Sequence, residues 1–340
     1  MADFLRLERH RQTQSERLGP PARRHRARLV ATIVAVGVAA AIVATFALHG
    51  TGHPAKTGHS GPQRGRFALP TTPDSYIGLY PDGVPDSYAG VTAFTMATGV
   101  KPGVVLYYSG WLERFRAAFA MTAAHDGAVP LVQIEPKGIN LAAIASGQYD
   151  SYLTAYAKAV RAYRHPVILS FGHEMNGYWY SWGYRHTSPT VFVAAWRHIV
   201  MTFRAQSARN VTWLWTVNTI DARSGVPSPA PWWPGSSYVT WVGIDGYYSD
   251  RSSIFASLFG PTIVAVRMLT RDPILIAETS AAPAADQPAK IADLFAGIRL
   301  YGLLGFVWFD SVAIKNWTLS SSAAIAAFRR AAGTYHRRAS

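Results

Sequence analysis

The chain has 340 residues, enough for one large domain or two ordinary ones, and 49% of them are hydrophobic, which supports a full core. It has no cysteine, which excludes disulfides, thiolate metal sites and a cysteine nucleophile. The formal charge is +14, but it is diluted along the chain without a lysine-rich stripe, so nucleic acid is not an expected partner.

Residues 1–28 carry eight Arg against Asp3, Glu8 and Glu16 and read as a basic cytoplasmic segment. Residues 29–48 then run without a charge. A helix of that length matches the bilayer core of about 30 Å. The Arg excess ahead of it predicts a cytoplasmic N-terminus and an exported remainder. The run exceeds the ~7–15 residues of a signal-peptide core and no small-x-small site follows it. The expectation is an uncleaved, single-pass membrane anchor, with secretion after signal cleavage as the alternative. Residues 49–69 are rich in Gly, Pro, His and Ser, lack periodicity, and read as a flexible linker.

From residue 70 to about 335, short apolar strands alternate with helical patterns, which argues a parallel sheet with crossover helices. Strands are expected at 76–80, 104–109, 129–135, 167–171, 211–218, 239–245, 273–278 and 305–310. Helices are expected at 88–98, 113–125, 149–164, 189–206, 254–270, 287–300 and 321–331. A Pro-rich loop, 221–234, follows the fifth strand. Eight strand-to-helix units predict a (β/α)8 TIM barrel, preceded by one N-terminal transmembrane helix and the linker.

Chemistry in that fold sits at the C-terminal strand ends. Here those ends carry Tyr80, Tyr108, Glu135, Glu174, Asn218, Asp245, Tyr247, Glu278, Trp308 and Asp310. Glu174 and Glu278 end the fourth and seventh strands, where two carboxylates can face each other across the mouth. Two carboxylates flanking a bond are the equipment for glycoside hydrolysis. The aromatic content, 11 Trp and 17 Tyr, exceeds what a core needs, and surplus rings suit sugar-binding grooves. Trp111, Trp182, Trp232 and Trp233 are candidates for outer subsites. His173-Glu174 is not a zinc-protease motif, because Gly177 stands where the second His must be. No phosphate loop and no Gly-x-Ser-x-Gly elbow is present.

The stretch Gly172-His173-Glu174-Met175-Asn176-Gly177, with Trp179 and Trp182-Gly183, resembles glycoside hydrolase family 26. Ile274-Leu275-Ile276-Ala277-Glu278-Thr279 resembles the family's seventh strand. The resemblance implies that Glu174 is the general acid/base and Glu278 the nucleophile of a retaining mechanism. It implies that His173 and Trp179 bind substrate and that Tyr247 of Asp245-Gly246-Tyr247 hydrogen-bonds the nucleophile. Trp308 would floor the subsite of the cleaved sugar. Asn176 and Asp245 complete the expected binding set, and Glu135 either meets a sugar hydroxyl or caps a turn. Mannan-cleaving members carry a His after the third strand, where this chain has Glu135-Pro136. The expected substrate is a β-linked polysaccharide: β-mannan, with β-1,3/1,4-glucan or β-xylan close behind. No metal or cofactor is required. The competing expectation is a non-catalytic polysaccharide-binding barrel in envelope or exopolysaccharide assembly.

Overall fold

The computed structural model describes residues 67–312 and 315–335. The expected basic segment, transmembrane anchor and most of the linker lie outside the described residues. Among the described residues, no helix is long and apolar enough to cross a membrane.

Eight parallel strands close into a barrel in sequence order, with β1 paired to β8. The elements run β1 (Tyr76–Pro81), α1 (Ala89–Thr98), β2 (Val104–Gly110), α2 (Ala117–His125), β3 (Val129–Glu135), α3 (Leu141–Ala145) and α4 (Asp150–Tyr163). They continue β4 (Val167–Phe171), α5 (Pro189–Ala205), β5 (Val211–Asn218), β6 (Trp241–Asp245), α6 (Phe255–Arg267), β7 (Ile274–Thr279), α7 (Gln287–Leu300), β8 (Gly305–Asp310) and α8 (Ser322–Tyr335).

Local chemistry sets several boundaries. The Ser188 hydroxyl accepts from Val191 N–H and Pro189 occupies the first turn, so α5 starts where the sequence predicts. Helix α2 starts at Ala117 rather than at Glu113. Leu112 takes a left-handed backbone (φ 73°), and Glu113 N–H closes a turn onto the Gly110 carbonyl. The crossover from β5 to β6 holds two 3-10 turns, Ala230–Trp232 and Ser236–Tyr238, and no α-helix. Pro227, Pro229, Pro231 and Pro234 there lack the N–H that a helical ladder needs.

Alternate residues of each strand face the barrel axis. Near the N-terminal floor these are apolar: Tyr76, Val104, Leu131, Ile168, Leu214, Trp241, Leu275 and Val307 form one buried cluster. Tyr76 and Trp241 lie ring to ring at 5.3 Å, and Leu69 packs against this cluster from the incoming chain. Each such side chain stabilises the fold by roughly 1.5–3 kcal/mol. Higher in the barrel the inward positions turn polar. Gln133, Ser170 and Thr216 are completely buried there, and the Ser170 and Thr216 hydroxyls share a 3.0 Å hydrogen bond. The outward-facing positions pack under the helices in a second, larger core.

One irregularity matters for the site. Ile244 pairs with Ile276 but Asp245 pairs with Glu278, and Ile276 pairs with Phe306 but Thr279 with Trp308. Strand β7 thus carries one extra residue, a β-bulge, at Ala277-Glu278. Ala277 lies in the inner cluster and Glu278 also projects inward, so two consecutive residues face the axis.

Candidate active site

Strand β4 delivers Glu174. On leaving the strand, Gly172 N–H bonds the Ile134 carbonyl of β3 and Glu174 N–H bonds the Thr216 carbonyl of β5, so the backbone stays clamped between two neighbours. Glu174 itself adopts φ 53°, a left-handed conformation that costs a non-glycine residue about 1–3 kcal/mol. The carboxylate is held at both oxygens. Trp179 Nε1 donates to Oε2 at 2.6 Å, and Asn218 Nδ2 donates to Oε1. A Cβ on Gly177 would stand 2.3 Å from the Trp179 ring, so a glycine there is what lets the indole fold back onto Glu174.

The bulge in β7 delivers Glu278, 5% exposed. Tyr108 Oη donates to its Oε1 at 2.5 Å, Gln133 Nε2 donates to the same oxygen at 3.1 Å, and Tyr247 Oη donates to Oε2 at 2.8 Å. Burial, and then the charge of Glu278, hold both tyrosine hydroxyls well above their ordinary range, so they remain donors. Burial pushes Glu278 itself up to about 8; the charge of Glu174 adds to the rise, while the Tyr108 and Tyr247 hydrogen bonds oppose it. Glu278 therefore senses the charge of Glu174 across the mouth.

The remaining predicted residues fall into two groups. Asp245 points inward beside Glu278 in register and is completely buried. Glu135 also points inward, its Oε2 3.2 Å from Lys137 Nζ; burial pushes its carboxyl up and Lys137 opposes that. His173 lies beside the Tyr108 ring at 5.6 Å, with Nε2 3.2 Å from the Tyr180 hydroxyl. The other group does not line the mouth. Trp308 does not floor a subsite: alternation along β8 puts Val307 and Phe309 inward and turns Trp308 outward, against Phe328 of α8 at 5.7 Å. Asn176 does not bind sugar through its amide. Its Nδ2 donates to the Asn218 and Pro227 carbonyls and its Oδ1 accepts from Asn218 N–H, so the side chain ties the β4 loop to the β5 loop.

Several residues escaped the predicted set. Tyr108 and Asn218 stood among the strand ends but carried no assigned role. Gln133 left a signal, a lone amide within an apolar strand. Phe309 stacks on Tyr80 at 4.5 Å, and Trp317 lies over Tyr247 at 4.8 Å. Of the proposed outer platforms, Trp182 is buried and stacked on Tyr180 at 4.2 Å, with its N–H on the His173 carbonyl. Eight of the eleven Trp are buried, so most of the aromatic surplus packs. Among the described residues, no group of three His, Asp or Glu could hold a metal ion.

Comparison with known proteins agrees with this geometry. The profile of Glycosyl hydrolase family 26 matches residues 144–282, a span containing both carboxylates. Over 268 residues the chain is 30% identical to Endoglucanase H of Acetivibrio thermocellus, which covers 74% of this chain and 30% of that protein. Over 89 residues it is 30% identical to Mannan endo-1,4-beta-mannosidase A and B of Caldalkalibacillus mannanilyticus, covering 24% of this chain and 16% of the other. The chain thus spans less than a third of the length of these curated relatives. A family 26 β-mannanase from Bacteroides ovatus superposes with a TM-score of 0.59 at 14% identity, over 76% of this chain and 88% of that one. The mannanase BCman from Bacillus subtilis gives 0.57 at 18% identity, over 75% and 85%. At such identities the structures speak for the shared fold alone. Profile, relatives and closed eight-stranded architecture together support a glycosyl hydrolase family 26 (β/α)8 barrel.

Proposed function

We propose that the protein is a retaining endo-β-glycosidase that cleaves a β-linked polysaccharide. The observation that carries the reading is the pair of carboxylates, each held by fixed donors, with Glu278 sensing the charge of Glu174. Glu278 attacks the anomeric carbon while Glu174 protonates the departing glycosidic oxygen. Glu174 then takes a proton from water, and that water releases the sugar from Glu278.

The high value for Glu278 fits this assignment. Burial is its first cause, and repulsion by ionised Glu174 adds to it. When Glu174 carries its proton, as an acid must, that repulsion is gone. Tyr108, Tyr247 and Gln133 are then three donors that favour ionised Glu278. Backbone position and donor set thus divide the two roles between chemically identical groups.

For the substrate, β-mannan and β-glucan both have support from the names of the relatives, and β-xylan follows. Glu135 and Lys137 stand at the β3 end, where mannan-cleaving members carry a His. The test is reducing-sugar release from mannan, mixed-linkage glucan, β-1,3-glucan and xylan, with NMR of the first-formed anomer. The reading expects release from at least one polymer with the β configuration retained. An initial α product, or no release from any of the four, refutes it.

We read the apolar run 29–48 as an anchor that holds the barrel outside the membrane. Carbonate washing of membranes checks this: the full chain stays in the pellet, and release into the wash refutes the anchor.

A further inference from the structure

Between the loops that follow β4 and β5 lies a cleft of about 490 Å³, within the range of ~300–1,000 Å³ typical of ligand sites. One wall is the loop from β4 to α5, contributing Tyr184, Arg185, His186 and Ser188. The other is the loop from β5 to β6, contributing Ser228 and Trp232. The two walls are joined through Asn176, whose amide bonds the Pro227 carbonyl. The first of these loops carries Glu174 and the second starts from its donor Asn218 at the end of β5, whereas the donors on Glu278 come from β2, β3 and the β6 end. The cleft therefore lies on the acid/base side, where the leaving half of the substrate sits.

Its charge is one-sided. No Asp or Glu lines it. Among the described residues, Arg185 forms no ion pair. Its guanidinium is nonetheless positioned, 5.6 Å from the Tyr178 ring and 5.3 Å from the Tyr184 ring. Arg185 holds φ 70°, a left-handed backbone, and its Nη2 reaches to 3.9 Å from where a Cβ on Gly225 of the opposite loop would stand. The guanidinium thus reaches toward the opposite loop with its planar donor face unused by any carboxylate among the described residues. His186 is pinned beside it, Nε2 2.8 Å from the Tyr178 carbonyl.

We propose that this cleft binds a carboxylate-bearing sugar, a uronate residue on the leaving-group side of the polysaccharide, with Arg185 as its counter-ion. A planar fork matches a carboxylate bidentately, and the half-buried Tyr184 ring offers the apolar surface that a sugar ring covers. The proposal rests on the reading of Glu174 as acid/base for its placement, but its test does not.

Calorimetric titration of the full-length chain uses glucuronic-acid-substituted β-xylan oligosaccharides and the same oligosaccharides after carboxyl reduction. The acidic set is expected to bind about tenfold more tightly, with the difference shrinking as salt rises. Arg185→Gln should abolish the difference. Arg185→Lys, which keeps the charge without the fork, should retain part of it. Equal affinity of the wild type for the two sets, or a difference that survives in Arg185→Gln, overturns the proposal. So does binding of neither set. Failure of the glycosidase reading shows separately, as absence of reducing-sugar release with the acidic preference intact.

Discussion

Replacing Glu278 by Gln should make the protein more stable as well as inactive, and the gain should depend on pH in a calculable way. Folding raises this carboxyl from 4.5 to about 8, first by burial and then by the charge of Glu174. The folded state therefore holds its proton where the unfolded chain has lost it, and stability falls as pH rises between those two values. Each pH unit in that window is worth about 1.4 kcal/mol. By pH 7 the wild type has lost on the order of 3 kcal/mol relative to its value near pH 4, and it loses no more above pH 8. The Gln variant has no such titration. Its Oε1 can still accept from Tyr108 and Gln133, and its amide can donate to Tyr247 once that hydroxyl rotates. Any fixed cost of the substitution is the same at every pH, so the diagnostic is the slope of the difference. For a domain of this size ~3 kcal/mol corresponds to roughly 6 °C in Tm. Thermal melts of both proteins at pH 4.5, 6, 7 and 8 should show a gap that widens by about that much. A gap that stays constant or narrows across the series would refute the placement of Glu278 in a desolvated, charge-coupled site.

Tyr247→Phe removes a donor that favours ionised Glu278, so the acid limb of the kcat/KM profile should move to higher pH; an unmoved limb argues against Glu278 as the ionised nucleophile. Trp179→Phe removes the 2.6 Å donor to Glu174 and should lower kcat about tenfold, matching a charge-assisted bond of ~1.5 kcal/mol, with Tm nearly unchanged. Gly297→Ala sets two effects against each other. Helix propensity favours Ala by about 1 kcal/mol, but the new Cβ would stand 2.0 Å from the Phe255 ring. Overpacking at ~1–3 kcal/mol should win, and a rise in Tm would contradict the packing.

The alternation of apolar strands with amphipathic helices made the barrel legible, because parallel strands buried on both faces read as short apolar runs. The strand-end list then located Glu174, Tyr247 and Glu278, since a closed barrel gathers those ends at one mouth. What stayed hidden depended on which way a side chain turns. Trp308 and Phe309 are adjacent aromatics, and register alone decides that the second faces the mouth. Asn176 looks like a sugar ligand in a motif, yet the loop it stitches is visible only in three dimensions. Gln133 sits inside β3, two residues short of the end where function was sought.

The bulge in β7 gives the site an unusual kind of fragility. In a regular strand, Leu275, Ala277 and Thr279 would face the axis and Glu278 would lie under the helices. The extra residue alone reverses that. The chemistry therefore depends on a count of backbone units as well as on the identity of a carboxylate. Removing Ala277 would restore regular pairing and leave Glu278 facing the axis beside Asp245, whereas regularising the strand at its present length would keep every catalytic side chain in the sequence and turn this one away. Alignments of related barrels that slide a gap through Ile276-Ala277-Glu278 lose that distinction, and designs that graft this site must carry the irregular strand along with its side chains.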